Sequence, residues 1–394
     1  MSDVAIVGGC GHVGLPLGIV LAASGLDVVC TDIDARAVDL VNRGVMPFDE
    51  PGATELLVEV RAADRLRATT DPAVVGTADV VVIVIGTPID EHLNPDLGAV
   101  QHAVVEIAEH LVDGQLLVLR STVYPGVTAV IERHLGALGL AVDVAFCPER
   151  IAEGAALREL AELPQIVAAR SPQAAERATQ LFGRLTDQIL YLDPEEAELA
   201  KLFTNTWRYI KFATANQLFM IANDFGLDYD RIRDAVAFDY PRAADLPRAG
   251  FAAGPCLLKD TMQLAAFNNN NFQLGQSAVM INEGLPLYVV SRLALRFDLA
   301  ASTVGVLGMA FKPGSDDIRS SLSYKLKRIL RFRCAGVLTH DPYVTTDPDL
   351  VPLEDVVAGS DLLVIATPHP EYRDLDTELP IVDLSNLLGQ GVVV

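Results

Sequence analysis

The fold is decided by the stretch VAIVGGCGHVG at residues 4–14. Its first four residues are apolar and end at glycines, as a buried parallel strand does. Apolar residues at helical spacing follow between residues 15 and 21, and a second apolar run at residues 26–30 ends just before Asp32. The order strand, glycine-rich turn, helix and strand predicts a β-α-β unit of a parallel sheet.

The glycine-rich turn has the spacing G-x-G-x-x-G, at Gly9, Gly11 and Gly14. Glycines there let the chain turn tightly and let a pyrophosphate approach the helix N-terminus. Asp32 lies where an acid would accept hydrogen bonds from an adenosine ribose, and its charge would repel a 2′-phosphate. These features together predict an NAD site, and the alternative is a purely structural turn.

Two more buried strands are predicted, at residues 78–88 and 116–123. In an open parallel sheet, ligands bind outside the carboxyl ends of the strands, which would place Thr87, Ser121 and Thr122 near the cofactor. The alternative is that these hydroxyls only satisfy loop backbone groups.

The stretch PERIAEG at residues 148–154 follows the next strand and carries Glu149 and Glu153. The two glutamates are four residues apart, so a helical turn would place them on one side. They could instead form a solvated face.

A long helix is predicted to start at Asp193, where an N-cap residue precedes proline and two acids, and to extend to about Phe225. Lys201 and Asn205 lie one turn apart on one face. A lysine with an asparagine one turn on can polarise or protonate an oxygen near a pocket. The alternative is an ordinary solvated lysine.

The stretch GFAAGPCLLKD at residues 250–260 is a small-residue loop that carries one cysteine. Its glycines and alanines allow a backbone or a flat ligand to come close. Lys259, together with a helix predicted to begin at Asp260, would favour the reactive thiolate of Cys256. The alternative is a buried structural cysteine.

The C-terminal third resembles a second, shorter αβ layer without a G-x-G-x-x-G turn. Strands are predicted around residues 303–308, 337–339 and 360–368. Lys312 and Arg319 lie in a loop after the first of them and could supply positive charge for a phosphate. The alternative is a solvated loop.

The composition bounds the possible partners. Thirty basic and 52 acidic residues among 394 give a net charge of −22, which opposes binding to nucleic acid or anionic membranes. The five cysteines have no C-x-x-C spacing, the seven histidines show no metal-ligand spacing, and no apolar run approaches membrane-spanning length. We therefore expect a cytoplasmic protein with no metal and no membrane or nucleic-acid partner.

Taken together, and in this order along the chain, these motifs resemble the nucleotide-sugar 6-dehydrogenase family, which includes UDP-glucose, UDP-N-acetylmannosamine and GDP-mannose dehydrogenases. The resemblance covers nearly the whole chain. It implies an α/β fold with an N-terminal Rossmann-type NAD-binding domain, residues 1–192. A central helical dimerisation domain would follow at residues 193–298, and a second Rossmann-like domain for the nucleotide sugar at residues 299–394. A homodimer or a higher homo-oligomer is also expected from the long apolar-striped helix after Asp193.

The resemblance implies two NAD-dependent oxidations that convert the C6 alcohol of a nucleotide sugar, most commonly a UDP-sugar, to a carboxylate. Cys256 would trap the aldehyde as a thiohemiacetal, Lys201 and Asn205 would hold the oxyanion, Asp260 with Thr122 would position a water, and Glu149 would be the base for thioester hydrolysis. Cofactor contacts are implied for Gly9, Gly11, His12, Val13, Gly14, Asp32, Arg36, Thr87, Ser121, Thr122, Glu153, Lys259 and Arg319. Substrate contacts are implied for Glu149, Glu153, Lys201, Asn205, Arg242, Phe251, Gly254, Phe311 and Lys312.

Two other functions fit part of the pattern. A two-electron β-hydroxyacid dehydrogenase also pairs a Rossmann domain with a helical domain carrying Lys-x-x-x-Asn, but it needs neither a nucleophilic cysteine nor a second nucleotide-type domain. A non-enzymatic NAD-binding sensor would not need the combination of Lys201, Asn205, Cys256 and Asp260.

Overall fold

The computed structural model describes residues 2–87, 96, 98–391 and 394. The chain divides into two compact units, Met1–Thr204 and Asn205–Val394. Pro88, the last residue of one predicted strand, lies outside the described residues.

The first unit contains an eight-stranded sheet in the order β3-β2-β1-β4-β5-β6-β7-β8. Neighbouring strands are parallel except β6 and β7, which pair antiparallel. The strands are β1 (Ser2–Val7), β2 (Val28–Thr31), β3 (Leu66–Thr69), β4 (Ala78–Ile83), β5 (Leu116–Leu119), β6 (Asp143–Phe146), β7 (Gln165–Ala169) and β8 (Ile189–Leu192).

Helices cover both faces of this sheet, so the central strands are buried runs of valine, isoleucine and leucine. The helices are α1 (Gly14–Ala23), α2 (Ala35–Asn42), α3 (Ala53–Ala62), α4 (Ala99–Ala108), α5 (Val127–Ala137), α6 (Ala156–Glu162), α7 (Pro172–Phe182) and α8 (Pro194–Asp224), with a 3₁₀ turn at Pro72–Thr77. The strand order reverses between β1 and β4, which is the point where an open parallel sheet binds its ligand.

The predicted long helix is confirmed as α8, which starts at Pro194 and ends at Asp224. The backbone N–H of Asp193 donates to Glu196 Oε2 at 3.0 Å, which is the return half of a capping box. The boundary between the two compact units falls inside α8, after Thr204.

The second unit contains a four-stranded, fully parallel sheet in the order β10-β9-β11-β12. Its strands are β9 (Thr303–Leu307), β10 (Gly336–His340), β11 (Leu362–Ile365) and β12 (Ile381–Asp383). The other helices of this unit are α9 (Tyr229–Ala237), α10 (Leu257–Phe267), α11 (Gln273–Arg296), α12 (Leu322–Arg333) and α13 (Leu353–Gly359), with 3₁₀ turns at Leu299–Ala301 and Pro370–Tyr372. The predicted second αβ layer is therefore confirmed.

Among the described helices, α11 is the one long and apolar enough to cross a membrane by length and composition alone, at a mean hydropathy of 1.2. It carries Glu283 and Arg292. Its residues Leu285, Val289 and Leu293 are completely buried in the core of the second unit. These contacts are those of a core helix.

Candidate active site

Glycine occupies the three positions of the turn after β1 for different structural reasons. A Cβ on Gly14 would lie 2.4 Å from the carbonyl oxygen of Gly8, and one on Gly9 would lie 2.6 Å from Cys30 Cβ. A Cβ on Gly11 would meet only the carbonyl oxygen of Gly8, at 3.8 Å. Packing therefore requires Gly9 and Gly14, whereas the space beside Gly11 fits the close approach of a pyrophosphate.

Asp32 follows β2 and is half-buried beside this turn. Its carboxylate accepts hydrogen bonds from the backbone N–H groups of Cys10 at 3.0 Å and Asp34 at 3.1 Å. The pKa of the Cys10 thiol is raised to about 12, mainly because the thiol is buried and secondly because the charges of Asp32 and Asp34 are near it. Cys10 is therefore a neutral packing residue, and the Asp32 carboxylate is fixed beside the glycine turn.

Three other predicted cofactor residues lie around the turn. Val13 precedes α1, and the His12 ring stacks on Phe48 with the ring centres 4.1 Å apart. Arg36 is exposed in the first turn of α2, where its backbone N–H donates to the N-cap residue Asp34.

The three hydroxyl residues lie after β4 and β5 as predicted. Ser121 Oγ accepts a hydrogen bond from Ile85 N at 2.8 Å and donates to Ile83 O at 3.4 Å. Ser121 therefore links the two strand-end loops, which is the alternative role stated for it. Thr87 is buried and Thr122 is half-buried.

Glu149 is held by a buried partner that sequence reasoning missed. Arg120, only 1% exposed, donates to the Glu149 carboxylate and also to the carbonyl oxygen of Cys147 and to Gln165 Oε1. The second carboxylate oxygen accepts from Arg150 N and Ile151 N. The one available signal was an arginine at the end of an otherwise apolar buried strand.

The loop from Glu149 to Glu153 is not a helical turn, so helical spacing does not place the two glutamates on one side. Buried Glu50 accepts hydrogen bonds from Gly154 N and Ala156 N, both at 2.7 Å. This carboxylate caps the start of α6 and holds the end of the loop. Glu153 is half-buried there.

Lys201 is half-buried on α8, and the helix is held at this point by Glu198. The buried Glu198 carboxylate accepts from Gly126 N at 2.6 Å and from Thr128 N and Oγ1 at 2.9 and 2.6 Å. These are donors at the N-terminus of α5, where a carboxylate is stabilised by the helix dipole. Glu198 thus fixes the stretch of α8 that carries Lys201.

In the second unit, Cys256 is exposed and stands directly before α10. The helix starts at Leu257, so the predicted start at Asp260 is wrong by three residues. The reason is that the backbone N–H of Asp260 already donates to Cys256 O at 2.9 Å, in the first helical turn. Cys256 is therefore the N-cap residue of α10, at the end of the helix where the helix dipole places partial positive charge.

The Asp260 side chain is buried instead of capping the helix. Asn205 Nδ2 donates to its Oδ2 at 2.5 Å, and Lys259 Nζ lies 3.1 Å from its Oδ1. The structure therefore brings together three predicted site residues of this unit, Asn205, Lys259 and Asp260.

The start of the cysteine loop is fixed by two buried asparagines that sequence reasoning missed. Asn216 Nδ2 donates to Gly250 O at 3.1 Å and to Asn282 Oδ1 at 2.9 Å, and Gly250 N donates to Asn216 Oδ1 at 3.0 Å. Asn282 Nδ2 in turn donates to Tyr209 O at 3.1 Å. These hydrogen bonds hold Gly250 between α8 and α11.

The predicted substrate residues Gly254 and Phe311 are in contact. Gly254 has φ +105°, and a Cβ on it would lie 2.7 Å from the Phe311 ring. Lys312 Nζ lies 5.4 Å from the centre of the same ring.

Three more predicted contact residues of this unit are Arg319, Arg242 and Phe251. Arg319 forms a two-pronged ion pair with buried Asp317, through Nε at 2.9 Å and Nη2 at 2.6 Å. Arg242 is exposed and stacks on Tyr240, and Phe251 is half-buried against the core.

In the described part of the chain, no three His, Cys, Asp or Glu side chains are grouped so that they could hold a metal ion. No disulfide joins the five cysteines.

Models of one protein family match the chain in three consecutive parts. Residues 2–186 match the NAD binding domain, residues 195–284 the central domain and residues 305–390 the UDP binding domain. The chain belongs to the UDP-glucose/GDP-mannose dehydrogenase family.

Individual members of this family match over nearly their full length. A UDP-N-acetyl-D-mannosamine dehydrogenase of Pyrococcus horikoshii is 33% identical, over 94% of this chain and 90% of the relative. A UDP-glucose 6-dehydrogenase of Haloferax volcanii is 34% identical, over 95% of this chain and 93% of the relative. The solved structure of the UDP-D-ManNAc dehydrogenase from Pyrococcus horikoshii superposes with a TM-score of 0.92 at 31% identity, covering 99% of this chain and 97% of that one.

Membership of the UDP-glucose/GDP-mannose dehydrogenase family confirms the predicted NAD cofactor and the prediction of an NAD-dependent dehydrogenase acting on nucleotide sugars. The glycine turn and Asp32 fit that cofactor. Neither the β-hydroxyacid dehydrogenase nor the non-enzymatic sensor is supported by these matches.

Proposed function

We propose that this chain oxidises the C6 alcohol of a UDP-sugar to a carboxylate in two steps, through a covalent adduct on Cys256. The observation that carries the proposal is the position of Cys256. It is the one exposed cysteine of the five, and it stands at the N-terminus of α10. The other four are buried or half-buried, and burial raises the pKa of Cys10, Cys30, Cys147 and Cys334.

The chemistry needs a nucleophile because a four-electron oxidation at one carbon passes through an aldehyde. Bound NAD supplies the hydride acceptor for both oxidations. Lys201 takes the alcohol proton in the first. The Cys256 thiolate then adds to the aldehyde carbon, and the thiohemiacetal keeps the intermediate attached. Its oxidation gives a thioester, which water cleaves to release the carboxylate and the thiol.

The polar residues hold the charges that develop during these steps. Lys201 and Asn205 would stabilise the oxyanion of the adduct. Asp260, buried and hydrogen-bonded to Asn205, would orient the hydrolytic water together with Thr122.

Glu149 has two possible roles in this scheme. As a general base it would need one oxygen released from the hydrogen bonds that hold it to Arg120, Arg150 and Ile151. As an anchor it would fix the loop after β6 through those same bonds. Glu149→Gln separates the roles, since loss of the base slows thioester hydrolysis and lets the covalent adduct accumulate, whereas loss of the anchor lowers thermal stability.

The nucleotide is proposed to be uridine diphosphate, because residues 305–390 match a UDP binding domain. Lys312 would meet the sugar nucleotide beside the Gly254–Phe311 contact, and Arg319 would approach the cofactor. We propose UDP-linked glucose and N-acetylmannosamine as the first sugars to test, since relatives at 33–34% identity are named for them. We also propose a division into three domains, at residues 1–192, 193–298 and 299–394; the matches at residues 2–186, 195–284 and 305–390 support this proposal.

We also propose a homodimer built on α8 and α11, in a reducing, cytoplasmic setting. An apolar groove between these helices is lined by Met220, Met280, Leu287 and Tyr288, and Met280 is 76% exposed. Exposed apolar surface of this kind is expected to be covered in an oligomer. A monomer by light scattering at micromolar concentration would contradict it.

The mechanism is tested by Cys256→Ser, with Cys334→Ser as the matched control. A serine can still form a hemiacetal, but its ester is hydrolysed far more slowly than a thioester. Turnover should fall by roughly three orders of magnitude or more, in kcat and not in KM. An ester-linked sugar on residue 256 should be found by mass spectrometry. Cys334→Ser should keep wild-type turnover, and near-normal turnover of Cys256→Ser would refute the covalent route.

A further inference from the structure

The loop that follows β9 carries Lys312. It is held by two buried side chains that follow the strands on either side of β9. Asp341 follows β10 and His369 follows β11, and both side chains are fully buried. Asp341 Oδ2 accepts from Met309 N at 2.6 Å and from Ala310 N at 2.8 Å, at the start of the loop. The backbone N–H of Gly314, beyond Lys312, donates to His369 Nδ1 at 3.2 Å.

These contacts fix the tautomer of His369. Because Nδ1 accepts the Gly314 N–H, the ring proton is on Nε2, which donates to Asp341 Oδ2 at 3.0 Å. Asp341 Oδ1 accepts two further N–H groups, from Tyr343 at 2.8 Å and Val344 at 3.0 Å. Burial alone would raise the pKa of Asp341, but the hydrogen bonds from His369 and the backbone outweigh it and lower the pKa to about 2. Asp341 is therefore an anion at neutral pH, and its contacts with the loop persist.

We propose that the Asp341–His369 pair is a positioning device that holds Lys312 in place for the diphosphate of the nucleotide sugar. The pair accepts hydrogen bonds from the loop backbone on both sides of Lys312, at residues 309–310 and at Gly314. A flexible lysine loses less freedom on binding an anion when its backbone is already fixed. The inference rests on the proposed function, in which Lys312 meets the sugar nucleotide.

His369→Gln and Lys312→Met test this in a double-mutant cycle. The glutamine amide can still donate to Asp341 in place of Nε2, but it gives Gly314 no acceptor at the Nδ1 position. The probe is uridine diphosphate, with its Kd measured by calorimetry on the full-length protein. Tyr324→Phe is the control, because it removes a hydrogen bond to Asp347 in the same unit and leaves the loop untouched.

Each single variant should weaken binding of uridine diphosphate by about tenfold, as expected for one charge-assisted hydrogen bond. The double variant should be no weaker than Lys312→Met alone, because the pair acts through that lysine. The KM for NAD should stay within about twofold in every variant.

Effects that simply multiply in the double variant, or unchanged affinity in His369→Gln, would overturn the inference while leaving the proposed function intact. No effect of Lys312→Met would instead overturn the proposed role of Lys312, and the positioning role with it. Should His369→Gln fail to fold, His369→Asn takes its place, because the asparagine oxygen can occupy the Nδ1 position. That variant should bind uridine diphosphate within about threefold of wild type, and a tenfold loss that multiplies with Lys312→Met would overturn the proposal.

Discussion

The turn after β1 offers a pair of substitutions that separate cofactor binding from packing. Gly11→Ala adds a methyl group whose nearest described neighbour, Gly8 O, is 3.8 Å away. Gly14→Ala adds one that would lie 2.4 Å from that same oxygen and 2.9 Å from Gly9 Cα. Neither glycine has a left-handed φ, so the two variants differ in what surrounds the added methyl group.

The magnitudes follow from these distances. Gly11→Ala should leave the protein as stable as wild type or more stable by ~0.4–1 kcal/mol, since alanine restricts the unfolded chain. Its methyl group should disturb a pyrophosphate hydrogen bond worth ~1.5–3 kcal/mol, which weakens NAD binding by about tenfold to a hundredfold. Gly14→Ala should destabilise the first unit by ~1–3 kcal/mol, as overpacking does.

The assay is thermal unfolding without ligand, followed by calorimetric titration with NAD. Gly11→Ala should unfold at the wild-type temperature or slightly above it and bind NAD weakly, whereas Gly14→Ala should show a lower midpoint. Wild-type affinity of Gly11→Ala for NAD would refute the placement of the pyrophosphate beside Gly11. A clear loss of stability in that variant would refute the claim that the position is open.

Three more predictions concern single side chains. Asp32→Ala should weaken NAD binding by roughly 1–2 kcal/mol and reduce the preference for NAD over NADP. The control Asp34→Ala removes only the N-cap of α2, so it should lower the unfolding temperature and leave the preference for NAD unchanged. The pKa of Asp341 falls from 3.8 to about 2 on folding, so it contributes ~2 kcal/mol of stability above about pH 4, which is lost as the pH falls towards 2. The drop in unfolding temperature on acidification should therefore be smaller in Asp341→Asn than in the wild type. An equal drop would contradict this. Asn216→Ala leaves the backbone N–H and C=O of Gly250 without their hydrogen-bond partner, so it should lower the free energy of unfolding by roughly 2–4 kcal/mol and lower kcat. An unchanged unfolding temperature and turnover would show that the loop is held by other contacts.

Local patterns in the sequence predicted most of the framework. The glycine turn, the strands around it and the start of α8 are specified by residues close together in the chain, so spacing and capping rules suffice for them. The second αβ unit was predicted for the same reason, from short apolar runs that end in turns.

Contacts between distant residues could not be predicted in this way. The helix after Cys256 was predicted to begin at Asp260, but that side chain is buried against Asn205, 55 positions earlier. Glu149 is likewise bound to Arg120, 29 positions away, and Asp341 to His369, 28 positions away. Such partners are set by the packing of elements that are far apart in the chain, and they leave no local signal.

The central claim, that Cys256 carries a covalent intermediate between two oxidations, is tested most directly by counting NADH. The protein is given excess NAD and a limiting amount of UDP-glucose or UDP-N-acetylmannosamine, whichever it consumes. The reaction is run until the sugar nucleotide is fully consumed, and the NADH formed is measured by its absorbance. We expect two NADH for each sugar nucleotide, a 6-carboxylate product and almost no free aldehyde. One NADH for each sugar nucleotide, with a carbonyl product, would contradict it.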